Sequence, residues 1–230
     1  MDDTTKLNTS KLGTKQYWDD FYAVEKSNFE ENPQDTGECW FDDSNAEEKM
    51  VEFLMNHLGQ LRIDKSCSMI DLGTGNGHLL FQLFEEGFDG RMVGVDYSMK
   101  SVEFAKEILQ TQYQDSDNFE FAPADIFDPQ WQPSKFDVVL DKGTLDAIAL
   151  SGLKAHNGDS IVQSYPAVVE KLMVKDSVFL ITSCNFTETE LKQIIEKNGS
   201  LQFWTSVKYP AFRFGGQEGS TICSLAFVKK

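Results

Sequence analysis

Histidine, cysteine and basic residues are all scarce in this 230-residue chain. It has three histidines and four cysteines, and no two cysteines form a Cys-x-x-Cys pair. Zinc ribbons and redox centres need that spacing, so no metal and no redox pair are expected. No apolar run approaches the length that crosses a bilayer, so no membrane partner is expected. The first residues, Met1-Asp2-Asp3-Thr4-Thr5-Lys6, hold no apolar stretch, and no secretory signal is expected. Residues 1–10 read as a disordered tail, and the compartment as the reducing cytoplasm. Only 21 Lys and Arg stand against 37 Asp and Glu, a net charge of −16. Such a surface repels phosphate backbones, which argues against nucleic acid; it either favours a basic partner or simply keeps the protein soluble, and charge alone does not separate the two.

What is present is an ordinary globular composition, with 40% hydrophobic and 25% charged residues. The length fits one domain, placed over residues 11–230, with a helical lead-in over 11–60. Tyr17, Trp18, Phe21 and Tyr22 recur at helical spacing. Asn32-Pro33-Gln34-Asp35-Thr36-Gly37 is loop chemistry. A second helix is predicted to start near Ser44, with Glu47 three residues on as a capping box. Short apolar strands follow at Met69-Ile70-Asp71-Leu72, Met92-Val93-Gly94-Val95, Phe119-Glu120-Phe121-Ala122, Phe136-Asp137-Val138-Val139-Leu140 and Val178-Phe179-Leu180-Ile181-Thr182. Helical patterns separate them at 78–86, from Ser98, at 159–172 and from Thr187, where Glu190 supplies another capping box. Two more strands are predicted at 201–207 and 221–228. This alternation implies an α/β, Rossmann-like, doubly wound sheet with helices on both faces. Ligands of such sheets bind beyond the carboxyl ends of the strands.

That edge carries the strongest signal, Asp71-Leu72-Gly73-Thr74-Gly75-Asn76-Gly77, where a strand turns into a helix. Glycines here let the chain turn tightly against a ligand. Dinucleotide-binding turns read G-x-G-x-x-G, but the sixth position from Gly73 is His78. Asp71, just ahead of the turn, suits a cationic ligand better than a pyrophosphate. Asp96 ends the second strand, where a carboxylate can accept from both hydroxyls of a ribose; NAD enzymes place an acid there too. Asp125 follows the third strand and can accept from an adenine amino group, with Ile126 covering the base; alternatively it is only a turn residue. Three acids at three successive strand ends, together with the glycines, point to a nucleoside-containing cofactor.

This series resembles the seven-stranded, class I S-adenosylmethionine-dependent methyltransferases. The resemblance implies strand order 3-2-1-4-5-7-6 with the last strand antiparallel, S-adenosyl-L-methionine as cofactor, and Thr74 and Tyr97 as further contacts to it. A narrower resemblance lies in the flanks: Leu12-Gly13-Thr14-Lys15-Gln16-Tyr17-Trp18-Asp19, Asp35-Thr36-Gly37-Glu38-Cys39-Trp40-Phe41, Leu140-Asp141-Lys142-Gly143-Thr144-Leu145-Asp146-Ala147-Ile148 and Phe212-Arg213-Phe214-Gly215-Gly216. These are similar to the protein-lysine methyltransferases of elongation factor 1-alpha, and closest to the fungal form. The implied protein substrate is that factor; the sequence leaves the oligomeric state open, with a monomer favoured.

By the same resemblance Trp40 lies in a lid over the cofactor, and Asp141 touches both the cofactor and the methyl-transfer centre. Trp40 with Phe41 otherwise only packs the lead-in, and Asp141 with Lys142-Gly143 is otherwise only a strand-end turn. Asn185, after the fifth strand, either lines the substrate channel or starts a helix. Asp141, Trp40 and Asn185 are thus the catalytic candidates. No general base stands out. Three other readings remain at this level: a small-molecule methyltransferase, an NAD-dependent oxidoreductase and a non-catalytic scaffold of the same fold.

Overall fold

In the computed structural model, residues 7–114, 116–155, 158–209, 212–214, 217–219 and 221–230 are described. The lead-in forms helix α1 (Lys15–Glu31) and helix α2 (Ala46–Asn56). The chain then runs through β1 (Met69–Leu72), α3 (His78–Glu85), β2 (Met92–Asp96), α4 (Met99–Gln112), β3 (Phe119–Pro123), β4 (Phe136–Lys142), α5 (Thr144–Leu150), α6 (Tyr165–Leu172) and β5 (Met173–Ser183). Next come α7 (Glu188–Ile195), β6 (Leu201–Val207), β7 (Phe212–Phe214), β8 (Gln217–Gly219) and β9 (Cys223–Lys229).

Seven strands form one sheet in the order β3-β2-β1-β4-β5-β9-β6. With β9 as the last strand in sequence, this is the expected 3-2-1-4-5-7-6 order, and β9 runs antiparallel to both neighbours. The period-two alternation of strand side chains divides the core. Met69, Val138, Leu140 and Leu180 face a cluster shared with α1 to α4. Ile70, Leu72, Val139 and Phe179 face a second cluster shared with α5, α6 and α7. The two faces together give three layers, with the carboxyl ends of the parallel strands β1 to β5 at one edge.

Local chemistry explains the starts of α1, α4 and α7. Thr14 and Ser98 accept backbone N–H groups at the starts of α1 and α4. Thr187 and Glu190 form the predicted capping box on α7. The box predicted from Ser44 and Glu47 does not form: Asn45 caps α2 in a left-handed conformation, with no side-chain bond. Glu47 turns inward instead, to partners described below.

Of the expected tail 1–10, residues 1–6 lie outside the described residues. Leu7 packs against the second core cluster, and the Ser10 amide donates to Leu150 O at 3.0 Å, so 7–10 are held in place. Gly215-Gly216 of the C-terminal motif also lie outside the described residues. Among the described residues no helix is long and apolar enough to cross a membrane, and all four cysteines are free thiols.

Candidate active site

The turn after β1 is built for close approach. Gly73 and Gly75 have φ of +67° and +58°, where a side chain is strained. A Cβ on Gly73 would lie 2.1 Å from Thr144 Oγ1, and one on Gly75 2.4 Å from the Tyr22 hydroxyl. Asp96, at the end of β2, steadies the turn. Its Oδ2 accepts the Gly75 N–H at 3.1 Å, and its Oδ1 accepts the Ser98 N–H at 2.8 Å.

A cavity of about 410 Å³ opens beside this turn. Asp71, Gly73, Thr74, Gly75, Asp96 and Tyr97 line it, as do Asp125, Ile126, Trp40 and Asn185. The structure therefore brings together nine of the ten residues expected to hold a cofactor, and two of the three catalytic candidates. Asp125 is also the turn residue of the alternative reading, since its Oδ1 accepts the Phe127 N–H at 2.9 Å. Burial pushes the Asp71 carboxyl up to about 7.

Residues 35–41 form a strap along the cavity. Asn76 Nδ2 donates to Thr36 O at 2.9 Å and to Glu38 O at 3.4 Å. Trp40 stacks edge-on against Trp18 with ring centres 5.0 Å apart. The N-terminal turn at Leu12 and Gly13 adds to the cavity wall, and Trp18 Nε1 donates to Leu12 O at 2.8 Å. The indole N–H of Trp40 is buried without an acceptor among the described residues. A buried donor left open on a cavity wall is costly unless a ligand or water completes it.

Residues 63–219 match the family described as Methyltransferase domain. The chain is 54% identical to the protein-lysine N-methyltransferase EFM4 of Saccharomyces cerevisiae, covering 100% of both chains. It is 32% identical to the EEF1A lysine methyltransferase 2 of Mus musculus, over 96% of this chain and 85% of that one. The chain belongs to the protein-lysine N-methyltransferases. A likeness of fold alone extends to the magnesium protoporphyrin IX methyltransferase of Synechocystis PCC 6803, with 16% identity and a TM-score of 0.56 over 91% of this chain and 97% of that one.

In this methyltransferase Asp141 does not sit where the sequence reading put it. It is fully buried and absent from the cavity wall. Its Oδ1 accepts the Thr144 N–H at 2.7 Å, its Oδ2 accepts the Leu145 N–H at 3.1 Å, and the Tyr165 hydroxyl donates to Oδ2. Gly143, which precedes α5, has no side chain to cap the helix, and Asp141 serves instead. The carboxylate is thus turned inward, under the helix start that borders the cavity.

The acid that does reach the wall from this motif is Asp146, on α5. Its Oδ1 accepts from Ser183 Oγ at 2.5 Å and the Asn185 N–H at 3.2 Å, and its Oδ2 accepts the Cys184 N–H at 3.0 Å. It thereby shapes the turn after β5 that presents Asn185. Sequence reasoning missed Asp146, and it also missed Glu47, His78 and Lys142 as wall residues. For Asp146 a signal was available: an acid inside a short apolar segment, Leu145-Asp146-Ala147-Ile148, needs buried partners.

Proposed function

We propose that this methyltransferase transfers the methyl group of S-adenosyl-L-methionine to a lysine of folded translation elongation factor 1-alpha, as a cytoplasmic monomer. One observation carries the substrate: the likeness to EFM4 covers the whole chain and that to EEF1A lysine methyltransferase 2 covers 96% of it, so both take in lead-in sequence that a general methyltransferase fold does not require. A net charge of −16 suits a basic protein partner, through steering that salt weakens. The free cysteines suit a reducing compartment.

The cavity fits the donor. Asp96 can take the ribose hydroxyls, and Asp125 and Ile126 the adenine. Asp71 can take the amino group, and the open indole N–H of Trp40 a ligand acceptor. Bound S-adenosylmethionine supplies a methyl group on a sulfonium, from which sulfur leaves as a neutral thioether. The residues of the chain do the rest. They align the lysine nitrogen, and such positioning lowers a barrier by ~7–11 kcal/mol. They also strip water from it. A free lysine has a pKa of about 10.4 and is no nucleophile while protonated. Entry between Trp40 and the turn at Asn185 favours the neutral amine by desolvation.

Cells lacking the enzyme should lose methylation at one lysine of elongation factor 1-alpha, read by mass spectrometry, and purified enzyme should restore it on the folded factor. Persistence of every methylated lysine at its usual level would remove the substrate from this reading.

The donor site should also be pH-dependent. A cationic ligand stabilises ionised Asp71, so binding lowers a carboxyl that stands near 7 in the free protein. Affinity for S-adenosylhomocysteine, which keeps the amino group, should rise with pH through about 7 and level off above it, with protons released below that point. Calorimetry in buffers of different ionisation enthalpy measures the release. Asp71→Asn should flatten the dependence; a slope that survives it assigns the proton elsewhere.

A further inference from the structure

Glu47 is buried at the start of α2, and it does not cap that helix. Its carboxylate instead gathers three side chains from three other parts of the fold. His78, the first residue of α3 after the glycine turn, donates from Nδ1 to Oε1. Cys39, in the strap, donates from Sγ to Oε2 at 3.3 Å. Lys142, at the end of β4, brings its Nζ to 3.5 Å from the same Oε2 and also donates to Trp40 O at 3.0 Å. The strap residue Trp40 is thus held by its carbonyl to Lys142, and Lys142 is held by Glu47.

The backbone beside this cluster is strained in the same place. Phe41 and Asn45 adopt left-handed conformations, with φ of 67° and 51°. For non-glycine residues such conformations persist only where the surroundings impose them. Phe41 is wedged against Gly143, where a Cβ would lie 2.9 Å from its ring.

Hydrogen bonds to Cys39 and Glu47 push the His78 imidazole up to about 10. Burial would raise the Glu47 carboxyl, but the His78 hydrogen bond and the Lys142 charge outweigh it and hold the group below its ordinary value. The cluster is therefore an ionised carboxylate between two cations. The ligand-bearing atoms of Cys39, Glu47 and His78 lie within 4.8 Å of one another, a spacing that also suits a metal ion. The Lys142 ammonium, 3.5 Å from the carboxylate and 3.9 Å from the thiol, already supplies the positive charge and opposes a second one.

We propose that Glu47 is a positioning residue for methyl transfer, fastening the Trp40 strap at once to the glycine-turn helix and to the end of β4. Covering the donor and shaping the substrate side are then one event. Glu47 acts through Lys142 and Trp40. The inference rests on the methyl-transfer reading above, and deepens it by naming what couples the two halves of the site.

Hydrogen exchange on the unliganded protein tests the fastening without any substrate. In Glu47→Gln, which keeps the shape and loses the charge, amides of residues 38–41 should exchange about tenfold faster or more, while those of β1, β4 and β5 keep their protection. Unchanged strap exchange, or faster exchange throughout the sheet, overturns the proposal. A kinetic cycle tests the coupling. Glu47→Gln and Lys142→Met should each lower kcat about tenfold or more, and the double variant should fall no further than the worse single one. Effects that multiply would mean that the two residues act separately, and would equally overturn it. If the parent does not methylate the elongation factor, the substrate reading fails while the exchange result still decides the strap.

Discussion

Asp96→Ala is expected to weaken S-adenosylhomocysteine binding by roughly 100-fold or more. Both carboxylate oxygens of Asp96 are engaged by backbone amides, Oδ2 by Gly75 and Oδ1 by Ser98, yet each keeps a lone pair, and the residue lines the cavity. Two hydrogen bonds from ribose hydroxyls to a charged acceptor contribute about 1.5–3 kcal/mol each. Removal of the carboxylate also frees the Gly75 amide and loosens the turn that must approach the ligand. Asp96→Asn, which keeps one acceptor, should fall between parent and alanine variant. Calorimetric titration reads both. Affinity within threefold of the parent in a folded Asp96→Ala protein would take the ribose away from Asp96.

Asp141→Ala should act on stability, by about 3–5 kcal/mol. The carboxylate is fully buried and accepts from two backbone amides at the start of α5 and from the Tyr165 hydroxyl. Alanine leaves the Tyr165 hydroxyl buried without its acceptor, and each such orphan costs about 1–3 kcal/mol. The start of α5 loses the acceptor that Asp141 supplies as well. Burial places the Asp141 carboxyl at about 7, so near neutrality Asp141→Asn removes less charge than it would at an exposed site and should be the milder change. Urea unfolding at pH 7 measures both variants. If Asp141→Ala unfolds at the parent's midpoint and loses turnover instead, the carboxylate reaches the reacting groups in a state other than the one described here.

The parts of the fold legible in the sequence were those with repeating physics. β1 and β2 show as apolar runs because they are covered on both faces. The order of the sheet followed from the glycine turn and the acids at three strand ends, through the family they resemble. Helix α5 was not legible: at seven residues, Thr144–Leu150 is too short for a helical period to stand out. The β7–β8 hairpin is two strands of three residues and gives no alternation to count. At the site, residues next to the glycine turn were found because local spacing marks them. Glu47 was found and misread: a glutamate three residues after a serine looks like a cap, and only the tertiary partners His78 and Lys142, 31 and 95 positions further along the chain, turn it inward. Asp141 was misplaced and Asp146 missed for a similar reason. Both sit beside the same turn, and which one faces the cavity depends on Tyr165 and Ser183, which the motif does not contain.

The position of β9 bears on how the protein is made. β9 is synthesised after the six other strands of its sheet, yet it lies inside the sheet, between β5 and β6. While the chain is emerging from the ribosome, β5 has an open edge and β6 has no way to join the sheet, because its register is with β9. An uncovered strand edge is a template for wrong pairing, with another chain or with itself. Phe179 and Phe203 stay without the ring of Phe227, on β9, for the same interval. The sheet cannot be completed progressively from the N-terminus, because the seven-residue β9 must arrive before β6 can join β5.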